Sequence, residues 1–381
     1  MKKLMLIFSI MLIFFIPFNV QASNTNNYNP NDSEEIQRLY DYMTNMKTKY
    51  EILKDVDVKT YVSDYLKTGG GGISSKKVTE ALLSYSIREV LAAMKFMTVL
   101  IIISVICALL TNLQKAFNDE GLSNIAYFAC YSLIVIIISK CFYIGVQEAR
   151  DAMNSMVDFM TALIPVLLML TASAGGVVQS TVMDPLIIGI INISARIFID
   201  ILIPLILMSF VLQFVNNIST EYKVDQLTKL LNQIVMWVQG IVMTVFIGII
   251  TIRGISTKNI DEVTAKTAKF AVDSFVPVVG KSLSDAISTV AGYSILLKGA
   301  ISSIGLIILV FIVILPIIKI FAMALIQKLT AALVQPISDK RIVSCISAAG
   351  DSLVLIASCL ISVSVMFFIM VSIMASSGRA L

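Results

Sequence analysis

Long apolar runs separated by short polar connections dominate the chain from residue 91 onwards. A transmembrane helix needs about 20 apolar residues to cross a hydrocarbon core of about 30 Å. The pattern therefore predicts an all-α, polytopic helical membrane protein whose membrane domain occupies 91–381. The predicted spans are 91–112, 122–141, 156–174, 185–215, 232–252, 301–326 and 351–375. The fourth run is long for one untilted span, and a tight hairpin within it would raise the count from seven to eight.

The N-terminus has the pattern of a secretory signal peptide over residues 1–22. Lys2 and Lys3 precede an apolar stretch, and Val20-Gln21-Ala22 forms a small-x-small cleavage site. A polar, Asn-rich segment follows at once, which favours cleavage over anchoring. The sequence therefore places residues 23–90 outside the cytoplasm.

The exported segment 23–90 has apolar residues at helical spacing in several short stretches. Asp32-Ser33-Glu34-Glu35 is typical of a capping box that opens the first helix. Four glycines at 69–72 predict a flexible hinge, because glycine does not hold a helix. Short helices bury little surface alone, so we expect them to pack on the membrane domain, the bilayer or a partner.

Lysine and arginine in the connections should set the orientation in the membrane. With seven spans, the 253–300 connection lies inside the cell with its lysines. With eight spans it lies outside, and Lys223, Lys229, Lys328, Lys340 and Arg341 lie inside. The number of lysine and arginine residues on the inner side favours the seven-span arrangement only slightly, so both arrangements stay open.

The composition supports a membrane protein and excludes several function classes. The chain is 57% hydrophobic and 14% charged, with a net charge of +4, whereas soluble domains are about 25% charged. No concentrated basic face suggests a nucleic-acid partner. Histidine is absent, which excludes a Ser-His intramembrane protease and an HExxH zinc protease. Enzymatic activity, a metal and a cofactor are therefore not expected.

The five cysteines lie within or beside apolar runs and form no CxxC pair. We interpret them as small hydrophobic residues in helices rather than as a disulfide framework or metal site. They are Cys107, Cys130, Cys141, Cys345 and Cys359.

The stretch "FAVDSFVPVVGKSLSDAIS" (270–288) contains Gly280-Lys281-Ser282, which match the last three residues of a nucleotide-binding P-loop. That motif needs a glycine five residues before Gly280, so that backbone N–H groups wrap the phosphates. Phe275 occupies this position, and Pro277 removes a further donor. No nucleotide site is expected here.

The same stretch belongs to a predicted helix–hinge–helix hairpin at 255–300. Pro277 and Gly280 interrupt it. Charged residues precede the hinge at helical spacing, and small residues that allow close helix packing follow it at every fourth position. A hairpin at the membrane interface or re-entering the bundle fits this pattern, with a plain surface hairpin as the alternative. The candidate packing or gating residues are Lys266, Lys269, Asp273, Pro277, Gly280, Ser284, Ser288 and Gly292.

Three charged residues lie deep within apolar runs and are candidate pore or packing residues. Arg196 and Asp200 are four residues apart and can pair on one helix face, and Lys319 follows Pro316. Charge within a membrane is costly and by default marks a functional path or a buried pair. In the structural alternative, Arg196 and Asp200 lie at the exposed tip of a hairpin and line no path.

Proline and glycine within the runs predict broken helices, as transporters use to expose backbone groups. The residues are Pro165, Pro185, Pro204 and Pro316, with "TASAGG" at 171–176.

Four segments resemble the stage III sporulation protein AE family. They are "LIPVLLMLTASAGG" (163–176), "EYKVDQLTKLL" (221–231), "TAKFAVDSFVPVVGKSLSDAIS" (267–288) and "SILLKGA" (294–300). The resemblance implies a multi-pass subunit in the mother-cell membrane around the forespore.

The resemblance also implies partners. The subunit would act with the other proteins of the sporulation IIIA operon and the forespore Q protein, in a channel similar to specialised secretion systems. The ATPase of that assembly is separate, so this chain need not bind nucleotide, and the family offers no catalytic residues. Self-association stays open. The competing hypothesis is a stand-alone transporter that moves a small molecule.

Overall fold

A computed structural model describes residues 34–49, 58–68, 75–117, 120–176, 180–181, 184–218, 224–275 and 280–376. Within these ranges, side chains at several helix ends and at 111–127 and 252–288 are not described. The signal peptide and the glycine hinge lie outside the described residues.

The described residues are almost entirely helical and contain no strand. This confirms the predicted all-α class. The helices are α1 (Glu34–Lys49), α2 (Val58–Thr68), α3 (Ser75–Phe117), α4 (Glu120–Ser173), α5 (Asp184–Arg196), a π-helical turn (Ile197–Leu202), α6 (Ile203–Ile218), α7 (Asp225–Phe275), α8 (Gly280–Val334) and α9 (Lys340–Ser376).

Within the described part of the chain, six helical stretches are long and apolar enough to cross a membrane. The number is smaller than predicted because 122–141 and 156–174 lie on one continuous helix, α4, of 54 residues. The polar residues between them, such as Gln147 and Glu148, are good helix formers and do not end it. The six stretches are Thr79–Leu110, Phe128–Ser173, Pro185–Asn216, Asp225–Thr251, Thr289–Val334 and Lys340–Ser376.

The hairpin considered within 185–215 is wrong. α5 continues into α6 through the π-helical turn Ile197–Leu202. The Ile203 N–H bonds to the Phe198 carbonyl, a wider spacing than in an α-helix. Pro204 follows directly and has no N–H to donate, so the helix widens at this point instead of turning back.

The predicted helix breaks are corrected in part. Pro165 and Pro316 lie inside continuous helices. The "TASAGG" segment does end α4, through a Schellman motif. Gly175 adopts φ 93°, Gly176 N donates to Thr171 O at 3.0 Å, and Gly175 N donates to Ala172 O at 3.0 Å. Glycine suits Gly175 because other residues are strained at positive φ.

The core lies where α4, α8 and α9 pack side by side. α4 and α8 are antiparallel, and a Cβ on Gly305 of α8 would lie 3.0 Å from Leu163 Cδ2 of α4. α9 runs parallel to α4, with Ser364 Oγ 3.6 Å from Met156 Sδ. The five cysteines are free and buried, which fits their interpretation as small hydrophobic residues.

The two N-terminal helices pack on the membrane helices. The rings of Tyr42 (α1) and Phe159 (α4) stack with centroids 6.3 Å apart. Tyr61 of α2 shares a hydrogen bond of 2.9 Å with Ser303 of α8. Burial raises the pKa of Tyr40 in α1 to about 12, with a smaller contribution from Tyr293. The N-terminal helices were expected to pack on the membrane domain, the bilayer or a partner, and the structure shows them packed on the membrane domain.

Candidate functional site

An ion pair links the two longest helices. Lys319 of α8 donates a hydrogen bond to a Glu148 carboxylate oxygen of α4. The two side chains are 26% and 32% exposed, respectively. The predicted candidate Lys319 is therefore half-buried and paired, which is one of the two roles expected of a charge in an apolar run.

More polar groups from α3 and α4 surround this pair. Tyr85 of α3 interacts electrostatically with Glu148, and the Arg88 guanidinium carbon lies 5.2 Å from the centre of the Tyr85 ring. On α4, Gln147 Nε2 donates to Asp151 Oδ1 at 2.8 Å. Arg150 Nε is buried and has no hydrogen-bond partner in the described structure. Three helices thus bring ionisable groups together at one level.

A second buried polar group lies at the end of α4. Lys298 of α8 is 0% exposed, and its Nζ donates to Thr171 Oγ1 at 3.3 Å. The Thr171 hydroxyl in turn donates to Leu167 O at 2.7 Å, so its oxygen remains free to accept. The ammonium therefore lies at the C-terminal end of α4, where the helix dipole is negative.

A further buried polar residue, Ser302, lies one helical turn after Lys298. It follows Lys298 by four residues on α8 and is 0% exposed. Its Oγ has no hydrogen-bond partner in the described part of the chain. Buried hydroxyls are normally bonded. The region around Lys298 and Ser302 is thus more polar than a plain packing core requires.

A third polar cluster joins α7 to α9. Gln239 Nε2 lies 2.7 Å from both Ser358 Oγ and Ser362 Oγ, which accept hydrogen bonds from it. Its Oε1 lies 3.8 Å from Cys359 Sγ, which donates. Side-chain hydrogen bonds of this kind hold helices together where the hydrophobic effect does not.

The candidates Arg196 and Asp200 are not brought together. Both side chains are exposed, on either side of the start of the π-helical turn. No ion pair joins them in the structure. Both remain candidate path residues, and among the described side chains neither hydrogen-bonds to the Lys319 or Lys298 clusters.

Most candidates in the 255–300 hairpin cannot be placed. α7 ends at Phe275 and α8 begins at Gly280, on either side of the predicted interruption. Gly292 is exposed, and a Cβ there would meet nothing within 4 Å. The other candidates lie outside the described side chains: Lys266, Lys269, Asp273, Pro277, Gly280, Ser284 and Ser288.

Sequence reasoning missed Glu148 and Lys298. Glu148 lay in a connection predicted between two spans, and Lys298 was counted with the hairpin lysines. A lysine flanked by apolar and small residues in "SILLKGA" was the available signal. Among the described residues, no group of three potential ligands could hold a metal ion.

Comparison with known proteins decides the family. The family model described as stage III sporulation protein AE matches residues 56–378. The chain belongs to the stage III sporulation protein AE family. It is 33% identical over 347 residues to the stage III sporulation protein AE of Bacillus subtilis (strain 168), covering 91% of this chain and 87% of that relative. No solved structure matches.

Membership gives the chain a sporulation-related role, and its long apolar helices make it a multi-pass membrane protein. The matched region includes the paired charges Glu148 and Lys319, the buried Lys298 and the α7–α9 cluster.

Proposed function

We propose that this chain is a non-enzymatic membrane subunit of a multiprotein channel that links the mother cell and the forespore. It acts in the mother-cell membrane around the forespore, with the other proteins of the sporulation IIIA operon and the forespore Q protein. It supports forespore development after engulfment. Membership of the stage III sporulation protein AE family supports this role.

The observation that carries the proposal is the set of charged and polar side chains inside the helix bundle. Glu148–Lys319 and Lys298–Thr171 both join α4 to α8. Such groups are expensive in a membrane interior and are characteristic of paths, gates and subunit contacts. The chain has no histidine, and so lacks the commonest general base. A conduit or platform accounts for them better than catalysis does.

One observation favours the stand-alone transporter as the second candidate. α4 ends at a buried Schellman motif with Lys298 beside it, and transporters use helix ends inside the bundle to hold charged substrates. A transporter would act without partners, and the channel subunit would not.

Affinity purification from sporulating cells tests the channel subunit. The tagged chain should retain the other IIIA proteins and the forespore Q protein after mild solubilisation. A tagged chain from vegetative cells is the control and should elute without them. Recovery of the chain alone from sporulating cells, at normal spore yield, would contradict the proposal.

A further inference from the structure

One end of the helix bundle can be identified by the contacts around Asp339, between α8 and α9. Ser338 Oγ donates to Ser104 O of α3 at 3.2 Å. Tyr131 OH, near the start of α4, donates to Phe214 O, near the end of α6, at 3.0 Å, and Tyr131 also hydrogen-bonds with Cys345 near the start of α9. Asn216 of α6 donates to Asp225, the first residue of α7. α3, α6 and α8 therefore end here, and α4, α7 and α9 begin here.

The opposite end is identified by Lys298. Its bond to Thr171 places the first third of α8 beside the end of α4. Tyr61 of α2 reaches Ser303 close by, and Tyr65 of α2 lies beside Gly299, where an added Cβ would be 3.5 Å from its hydroxyl. The N-terminal helices therefore lie at the Lys298 end.

The direction of α7 follows from Gln239. α7 begins at Asp225 and α9 at Lys340, both at the Asp339 end. Gln239 bonds to Ser358 and Ser362, which are a similar distance along α9. α7 thus runs parallel to α9 and towards the Lys298 end, so its last residue, Phe275, belongs to that end.

We propose that the end of α7 and the start of α8 lie on the same face of the membrane as α1 and α2, and that this is the exported face. Between α2 and the end of α7, the chain crosses the bundle four times: along α3, α4, the α5–α6 unit and α7. An even number of crossings returns it to its starting side. The signal-peptide pattern makes that side the exported one.

The distribution of charge does not decide the orientation, because both ends of the bundle carry lysine and arginine. The Asp339 end carries Lys229, Lys340 and Arg341, and Lys328 lies about two turns before the end of α8. Positively charged residues near span ends favour the cytoplasm. The opposite end carries Arg253, Lys258, Lys266 and Lys269, and the lysine and arginine count alone slightly favoured that end as the cytoplasmic one. The signal-peptide pattern and the four crossings therefore carry the assignment.

The orientation places a helical segment that is rich in charged residues outside the cytoplasm. Residues 252–275 continue α7 for a length of about 36 Å at 1.5 Å per residue. Their sequence is too polar for the hydrocarbon core. Its charged residues are Arg253, Lys258, Asp261, Glu262, Lys266, Lys269 and Asp273.

The sidedness does not rest on the proposed function.

Cysteine labelling tests the sidedness. The native cysteines are first replaced by alanine or serine, in a background checked for spore formation. Single variants Lys67→Cys (α2), Lys269→Cys (α7), Lys229→Cys and Lys340→Cys are then treated in intact vegetative cells with a membrane-impermeant maleimide. We expect Lys67→Cys and Lys269→Cys to react in intact cells, and the other two to react only after permeabilisation.

The outcomes separate the parts of the proposal. Different behaviour of Lys67→Cys and Lys269→Cys would overturn the shared face. Protection of both, with labelling of Lys340→Cys, would overturn the exported orientation. If Lys269→Cys does not react even after permeabilisation, Lys258→Cys replaces it under the same criteria. Because vegetative cells lack the sporulation partners, failure of the channel proposal would leave this result unchanged.

Discussion

Lys319 and Glu148, 171 residues apart in sequence, form an ion pair that joins α8 to α4. Each side chain is partly shielded from solvent, so the pair is neither a plain surface bridge nor fully buried. The antiparallel packing of two long helices brings the charges together.

Reversing one charge of this pair should destabilise the protein. Lys319→Glu would place two carboxylates together at a half-buried site, an effect on the order of 1–3 kcal/mol after allowance for partial solvent screening. We expect a lower apparent Tm in detergent and a lower spore yield. The double variant Glu148→Lys/Lys319→Glu should recover much of both. A double variant no better than Lys319→Glu would show that the pair itself is unimportant.

Asp200 tests whether an exposed charge in the fourth predicted span lines a path. Asp200→Asn keeps the size of the side chain and removes its charge, so spore yield should fall while the amount of protein stays normal. Ile201→Val, at the neighbouring exposed position, is the control and should behave like the wild type. Normal spore counts for Asp200→Asn at normal protein levels would return this residue to a structural role.

Thr171→Val should destabilise the protein because it removes a hydrogen-bond acceptor of the buried Lys298 ammonium. Loss of a hydrogen bond to a buried charged group costs about 1.5–3 kcal/mol. Ser173→Ala is the matched control, since Ser173 makes the same kind of bond to the carbonyl four residues earlier but is exposed. Apparent Tm in detergent measures both. Equal effects of the two variants would argue against a special role for Thr171.

Gly350→Ala should disturb the contact between α8 and α9. An added Cβ would lie 2.9 Å from Lys328 Cγ and 3.2 Å from the Ala324 carbonyl oxygen, and the backbone oxygen cannot move freely. Gly240→Ala is the control, because a Cβ there meets nothing within 4 Å. We expect a lower Tm for Gly350→Ala, and no decrease for Gly240→Ala, since alanine is the better helix former. A decrease in Gly240→Ala alone would contradict the packing described for these helices.

Hydropathy predicted the fold class and most of the spans, because an apolar run of about 20 residues is long enough to cross a bilayer core as a helix. It did not predict that 122–141 and 156–174 share one helix. The polar residues between them resemble a loop in composition, yet they are strong helix formers. The helix end in "TASAGG" was recognisable, because glycine at positive φ is a common terminator.

The candidate site was predictable only in part. Lys319 was recognised because an isolated charge in an apolar run stands out. Its partner Glu148 was not, since nothing local in sequence indicates a contact between residues so far apart. Lys298 was missed for a related reason. Its burial depends on the packing of α4 and α8, which the sequence of either helix alone does not reveal.

The central claim is that this chain works as a subunit of a larger channel and not alone. Purified protein reconstituted into liposomes tests it most directly, with uptake of a mixture of labelled small metabolites as the measurement. The account predicts no saturable uptake by the chain alone, and uptake only when its partner proteins are present. Saturable uptake by the chain alone, lost in Lys319→Glu and recovered in Glu148→Lys/Lys319→Glu, would contradict it and establish a transporter.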